Sequence, residues 1–183
     1  MRILAGKYKG RNFYMPAGIR PTQSIVRGAV FDILGHDLED MSFLELYAGS
    51  GAMSMEAISR GAESVVMVEH DPKNVKVIRE NCELLGIDLG ASYRISQGDA
   101  MATIKQFSRK GERFNVVFFD PPYGLKLAKK TLKVLGSNDI LHPLSFVVAQ
   151  YDHSDLLEIP ENFKIVTERR YGSSYLTILQ RIA

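Results

Sequence analysis

From residue 43 onward, short apolar runs alternate with longer segments whose apolar residues recur every three to four positions. Phe43-Leu44-Glu45-Leu46-Tyr47 predicts a strand, Gly49-Ser50-Gly51 a tight loop, and residues 53–60 a helix closed by Gly61. Residues 65–68 predict a second strand. Residues 71–85 predict a long helix with Val75, Ile78, Cys82 and Leu85 on one face and Gly86 at its end. Residues 93–95 give a third strand, and a helix carrying Met101, Ile104 and Phe107 follows. Val116-Val117-Phe118-Phe119 is the fourth strand, residues 127–135 the next helix, and residues 146–149 the fifth strand. Two further strand-like runs, 164–171 and 175–180, are joined by Gly172-Ser173-Ser174. Strands alternating with helices predict an α/β fold: a doubly wound, mostly parallel seven-stranded sheet whose antiparallel edge is a C-terminal hairpin.

The first 40 residues are patterned differently. Residues 2–14 alternate loosely, with breaks at Gly6 and Gly10, and predict a short hairpin. Pro16-Ala17-Gly18 is a turn. Pro21-Thr22 opens a helix with Val26, Ala29, Val30, Ile33 and Leu34 on its apolar stripe, ending at Gly35. We therefore expect a small hairpin-and-helix extension over 1–40 and a main domain over 41–183.

Charge sets this extension apart. Arg2, Lys7, Lys9, Arg11, Arg20 and Arg27 precede the first acidic residue, whereas the whole chain of 183 residues carries a net charge of only +2. A basic arm on a mildly acidic body is the footprint of a nucleic-acid contact, although an incidental solvated surface gives the same count. Apolar content of 45% is that of an ordinary globular protein. No apolar stretch has the length of a membrane span, and Met1-Arg2-Ile3-Leu4 does not begin a signal peptide. Cys82, the single cysteine, rules out an internal disulfide and a cysteine metal cluster; its place on a helix's apolar face predicts a buried thiol in a reducing cytoplasm. His36, His70, His142 and His153 show no ligand spacing, so no metal is expected.

In a doubly wound sheet, ligands lie beyond the carboxyl ends of the strands. Read in order, those ends carry Ala48-Gly49-Ser50-Gly51, then Glu69 and His70, then Gly98-Asp99-Ala100, then Asp120-Pro121-Pro122-Tyr123. The glycines let backbone approach a ligand; Glu69 can hold ribose hydroxyls, with His70 beside it; Asp99 can accept from an adenine amine. Each acid also has a plainer use: Glu69 as a strand-end acid, Asp99 as a helix N-cap. Position 54 is Ser, so the third glycine of a dinucleotide loop is missing, and no phosphate-cradling GxxxxGK[ST] occurs. Glu45, inside the first strand, repels a pyrophosphate and suits an ammonium group. The cofactor implied is a nucleoside with a charged amino-acid tail and no phosphates, which S-adenosylmethionine fits. Two prolines end the fourth strand in a stiff turn. The turn places the Asp120 carboxylate, the Pro121 carbonyl and the Tyr123 ring side by side, a set able to hold a planar base and accept hydrogens from its exocyclic amine.

Glu45-Leu-Tyr-Ala-Gly-Ser-Gly51, Glu69, Gly98-Asp99-Ala100 and Asp120-Pro-Pro-Tyr123 resemble those Rossmann-like class I S-adenosylmethionine-dependent methyltransferases that act on exocyclic amines. The chain looks more narrowly like the RsmD family of bacterial 16S ribosomal RNA guanine-N2 methyltransferases. That likeness rests on Arg2-Ile-Leu-Ala-Gly-Lys-Tyr-Lys-Gly-Arg11, Arg20-Pro-Thr22, Ser59-Arg60-Gly61-Ala62 and Tyr171-Gly172. The resemblance implies methylation of a guanine N2 amine in 16S rRNA, within an assembled or partly assembled small ribosomal subunit. We expect a monomer. Asp120 and the Pro121 carbonyl are expected to draw the amine nitrogen toward tetrahedral geometry while Tyr123 stacks on the flipped base. Arg2, Lys7, Lys9, Arg11, Arg20, Thr22 and Arg27 are expected to hold RNA, and Tyr8, Phe13 and Tyr14 either to stack on bases or to pack in the hairpin. The chain departs from the family at Gln23-Ser24-Ile25-Val26-Arg27-Gly28, where the family is more charged, and at Gln150, where it often has an acid. A DNA adenine-N6 or cytosine-N4 methyltransferase shares the Asp-Pro-Pro-Tyr turn, and a non-catalytic RNA-binding module shares the basic arm.

Overall fold

A computed structural model describes residues 1–19 and 22–182. Seven strands form one sheet in the order β3-β2-β1-β4-β5-β7-β6. They are β1 (Ser42–Leu46), β2 (Ser64–Glu69), β3 (Tyr93–Gln97), β4 (Phe114–Phe119), β5 (Leu141–Asp152), β6 (Phe163–Tyr171) and β7 (Ser174–Arg181). Strands β3, β2, β1, β4 and β5 run parallel, while β7 is antiparallel to both β5 and β6. This is the doubly wound, mostly parallel sheet with an antiparallel C-terminal hairpin expected from the alternating pattern. Sequence order reverses direction between β1 and β4, and at such a switch point the loops leaving the two strands part and open a crevice.

Side-chain alternation along each strand splits the interior into two layers. Phe43, Val65, Met67, Val116, Phe118 and Val148 face α1 (Ser24–Leu34), α2 (Ala52–Ser59) and α3 (Pro72–Leu85). Leu44, Leu46, Val66, Val68, Val117, Phe119 and Val147 face α4 (Ala100–Lys110) and α5 (Leu127–Gly136). Cys82 is buried in the first layer, where burial pushes its thiol up to about 11.

Two elements differ from the pattern-based expectation. Strand β5 spans 12 residues rather than four. Pro143 and Leu144, the latter at φ 60°, interrupt its apolar alternation, and the pairing with β4 shifts register between Phe114 and Val116. Residues 2–14 reverse direction as a hairpin does, through Ile3 N–H to Arg11 O (3.0 Å) and Phe13 N–H to Met1 O (2.8 Å), but hold only one bridge, Arg2 to Asn12. The reason is competition for backbone donors: Leu4 and Ala5 give their N–H groups to the Glu56 carboxylate of α2, both at 3.0 Å. Ile3, Tyr8 and Phe13 accordingly belong to the same buried cluster as α1, α2 and α3, so the first 40 residues share a core with the sheet.

Candidate active site

Strand β1 ends in a sharp change of direction. Tyr47 adopts φ 57°, rare for an aromatic residue, and Gly49 (56°) and Gly51 (75°) continue the left-handed path into α2. The Tyr47 hydroxyl shares a 2.7 Å hydrogen bond with Thr131 Oγ1 of α5, which holds the ring across the end of the sheet. Asn81 of α3 braces the loop from behind: its Nδ2 donates to Ser50 O (3.1 Å) and Tyr14 O (3.0 Å), and its Oδ1 accepts from Tyr14 N–H (2.7 Å).

The two acids near this loop are fixed by backbone donors. Glu69, buried at the end of β2, accepts from Gly49 N–H (2.8 Å) and Asp71 N–H (2.9 Å), with His70 Nδ1 3.3 Å away. Glu45, buried in β1, reaches the first turn of α2, where its carboxylate accepts from Ser54 N–H (2.8 Å) and Met53 N–H (3.3 Å). A dinucleotide fold seats its pyrophosphate on such a helix N-terminus. Here a protein carboxylate occupies it, which closes the site to phosphates and leaves a pole suited to a cation. Burial pushes the Glu45 carboxyl up to about 7, with the nearby Glu69 charge adding to the rise and the Ser54 and Met53 N–H groups opposing it.

A cleft of about 380 Å³ opens beyond these strand ends. Glu69, His70 and Asn74 line one side, Asp120, Pro121, Pro122 and Tyr123 the other, and Tyr47, Gly49, Gly18 and Ile19 the space between. A smaller chamber of about 50 Å³ shares Ile19, Tyr47, Gly49 and Asp120 with it and extends to Glu45, Ala48, Ser50 and Thr22. The volume lies in the range of small-molecule sites. The donor set fits a nucleoside with a cationic tail: carboxylates at both ends, aromatic and apolar walls, and a helix N-terminus already filled. Tyr123 is held by a 2.8 Å hydrogen bond between its hydroxyl and Ser174 Oγ at the start of β7.

The structure thus brings Glu45, Ala48, Gly49, Ser50, Glu69, His70 and the Asp120–Tyr123 turn to one crevice, with Gly51 as the N-cap of α2. It does not bring in Asp99 or Ala100. Asp99 is exposed and caps α4 by accepting from Ala102 N–H (2.8 Å), while Ala100 packs in the second core layer; neither lines the cleft. Tyr47, Asn74, Ile19 and Asn81 escaped sequence reasoning. A tyrosine ending a strand gives no sign of positive φ, Asn74 and Asn81 lie in a segment read as helix, and Ile19 falls between a turn and a helix.

The basic arm needs correction in detail. Arg27 is 0% exposed. Its guanidinium donates to Arg2 O (2.8 Å) and touches Met1 Sδ, so it builds the arm's foundation and cannot reach a phosphate. Thr22 is half-buried and lines the smaller chamber. Arg11 donates to Leu84 O and Leu85 O at the carboxyl end of α3, and Arg2 Nε donates to Gly10 O (3.0 Å). Lys7 and Lys9 are exposed, with Lys7 Nζ 5.2 Å from the centre of the Tyr8 ring. Tyr8 and Phe13 are buried and Tyr14 is exposed, so only Tyr14 of the three presents its ring outward. Arg20 lies outside the described residues. No group of three or more His, Cys, Asp or Glu side chains among the described residues could hold a metal ion.

Residues 1–180 match the family model described as Conserved hypothetical protein 95. The chain belongs to that family. Its Escherichia coli relative, ribosomal RNA small subunit methyltransferase D, is 30% identical, with 100% of this chain and 91% of that protein aligned. A protein of the same name from Haemophilus influenzae is 29% identical, covering 94% and 89%. Among solved structures, the Thermus thermophilus protein TTHA0928 superposes with a TM-score of 0.83 at 33% identity, covering 97% of this chain and 98% of that one. The family is the RsmD family that the motifs resemble, and its members are S-adenosylmethionine-dependent methyltransferases. The match spans the arm, so the Arg2–Arg11 and Ser59–Ala62 blocks, two of the four on which the narrower resemblance rests, belong to one family unit. In three dimensions they also touch: Ser59 O accepts from Lys7 N–H (2.7 Å) and Ser59 Oγ from Tyr8 N–H (2.9 Å).

Proposed function

We propose that this protein methylates the exocyclic N2 amine of a guanine in 16S rRNA, acting as a monomer on an assembled or partly assembled small ribosomal subunit. The observation that carries the reading is the pairing of two features across one cleft. On one side a carboxylate-capped helix and Glu69 accept a phosphate-free nucleoside with a cationic tail. On the other stands a proline-stiffened turn of acceptors. The names of the relatives add ribosomal RNA as substrate, and the exposed Lys7, Lys9 and Tyr14 of the arm offer cations and a ring to it.

S-adenosylmethionine supplies an electrophilic methyl group on a sulfonium. The chain's residues prepare the acceptor. A guanine amine is a poor nucleophile because its lone pair is delocalised into the ring. Asp120 and the Pro121 carbonyl accept its two hydrogens and orient the lone pair, and the Tyr123 ring supports the extruded base. Positioning of this kind can supply roughly 7–11 kcal/mol of the barrier. No covalent intermediate on the protein is needed.

Labelled methyl transfer into small ribosomal subunits, free 16S rRNA and DNA, followed by nucleoside analysis, tests the reading. We expect N2-methylguanine from the RNA. Labelled N6-methyladenine from DNA, with no methylguanine, would falsify it.

Glu45 gives a second test. With its carboxyl raised to about 7, the unliganded protein holds a proton there at lower pH, whereas an ammonium tail favours the ionised form. Arg27, whose charge also acts on Glu45, stays protonated throughout and adds no pH step. Cofactor affinity should therefore rise about tenfold from pH 6 to pH 8, and Glu45→Gln should flatten the profile. Calorimetric titration reads this directly; a flat wild-type profile means that Glu45 does not serve the tail.

A further inference from the structure

We propose that Leu125 is a wedge that enters the RNA base stack when the target base leaves it, an inference that rests on the methylation of an RNA base amine argued above. Leu125 follows the Asp120–Tyr123 turn by two residues and is 60% exposed. Single exposed leucines are common and need no explanation. This one differs in how it is presented.

The segment that carries it is anchored at both ends. On one side the Tyr123 hydroxyl is bonded to Ser174 Oγ at 2.8 Å. On the other, Ala128 N–H donates to the buried Asp155 carboxylate at 2.9 Å, fixing the first turn of α5. Between these anchors Gly124 and Lys126 both adopt left-handed backbone, φ 82° and 53°. For lysine that conformation is uncommon and costs free energy, so the surrounding anchors must impose it. The outcome is a short finger that holds an aliphatic side chain into solvent, three residues along the chain from the exposed, cleft-lining Pro122. Lys126 and Lys130 are exposed on the same segment, and Lys129 pairs with Glu158.

Chemistry explains the use of such a finger. A base cannot reach Asp120 while stacked, and extruding it costs a few kcal/mol and leaves a gap between its neighbours. Apolar side chains inserted at a base step fill such gaps and stabilise the unstacked state. A leucine placed two residues from the aromatic ring proposed to receive the base is at the right reach, and Lys126 and Lys130 can hold the phosphates on either side.

The experiment uses the full-length protein, small ribosomal subunits as substrate, and a stem-loop RNA carrying 2-aminopurine at the mapped target position, since that base brightens when unstacked. We expect Leu125→Ala to lower single-turnover methyl transfer about tenfold and to lose most of the fluorescence rise, with cofactor affinity unchanged within about threefold. Leu125→Met should restore both signals, because it returns an apolar side chain of similar volume. A Leu125→Ala protein that transfers methyl and unstacks the base as well as wild type overturns the wedge while leaving the N2-amine reading intact. A loss of cofactor affinity overturns it too, since Leu125 would then be a wall of the cofactor cleft. If the wild-type protein methylates no RNA, the reading beneath the wedge fails, and the wedge with it.

Discussion

Asp120→Ala is expected to lower methyl transfer at least about a thousandfold, roughly 4 kcal/mol of transition-state stabilisation, while cofactor affinity changes less than about threefold. The split follows from where Asp120 stands. It is half-buried at the end of β4 and lines both the cleft and its inner chamber, beside Pro121 and Tyr123. The acids we propose to face the cofactor are other residues: Glu69 bonded to Gly49 N–H, and Glu45 on the first turn of α2. On the proposed mechanism, removing Asp120 deletes an acceptor that works on the amine only as its nitrogen becomes nucleophilic, an interaction made more fully in the transition state than before it. Asp120→Asn keeps the shape and one acceptor oxygen but presents an NH₂ group to another NH₂ group, so it should recover little. Stopped assays for turnover and calorimetry for the cofactor separate the two quantities. A cofactor affinity that collapses together with turnover would show that this carboxylate belongs to the cofactor pole.

Much of this geometry is legible in the sequence, and the rest is hidden there for identifiable reasons. Element order was readable because each strand and helix of the sheet domain carries its own period, and Gly61 and Gly86 mark helix ends. Glu69 and Asp120 were readable as acids at strand ends, and Glu45 as an acid inside the first strand. What Glu45 does there was not: that its carboxylate caps α2 depends on the left-handed path through Tyr47, Gly49 and Gly51. Asp99 has two uses that the sequence does not separate. A strand-end aspartate before a helix serves a ligand or an N-cap equally well by sequence, and the structure uses it as the cap. Arg27 misled for a third reason. Counting cations in the arm treats them alike, yet whether an arginine faces solvent depends on carbonyls such as Arg2 O, 25 residues away in sequence.

Gly6→Ala is expected to be the most damaging single substitution in the arm, costing about 3 kcal/mol or more. A β-carbon at Gly6 would lie 1.8 Å from Ser59 O and 2.3 Å from Ser59 C, both backbone atoms that cannot turn aside. The arm would have to lift from α2. With it would go the bonds from Leu4 and Ala5 to Glu56 and those from Lys7 and Tyr8 to Ser59. Glu56 would keep only Arg60, its buried ion-pair partner at 3.0 Å, in place of a full set of donors. Losing partners of a buried charge is costly, and exposing side chains such as Ile3 and Phe13 adds roughly 1.5–3 kcal/mol each. Gly10→Ala supplies the control. Gly10 has a similar φ, 83° against 79°, but nothing lies within 4 Å of its β-carbon position, so it bears only the left-handed backbone cost of about 1–2 kcal/mol. Urea unfolding midpoints of the two variants therefore isolate the steric part. If Gly6→Ala unfolds at the same urea concentration as Gly10→Ala, the close contact with Ser59 does not hold the arm to the sheet domain.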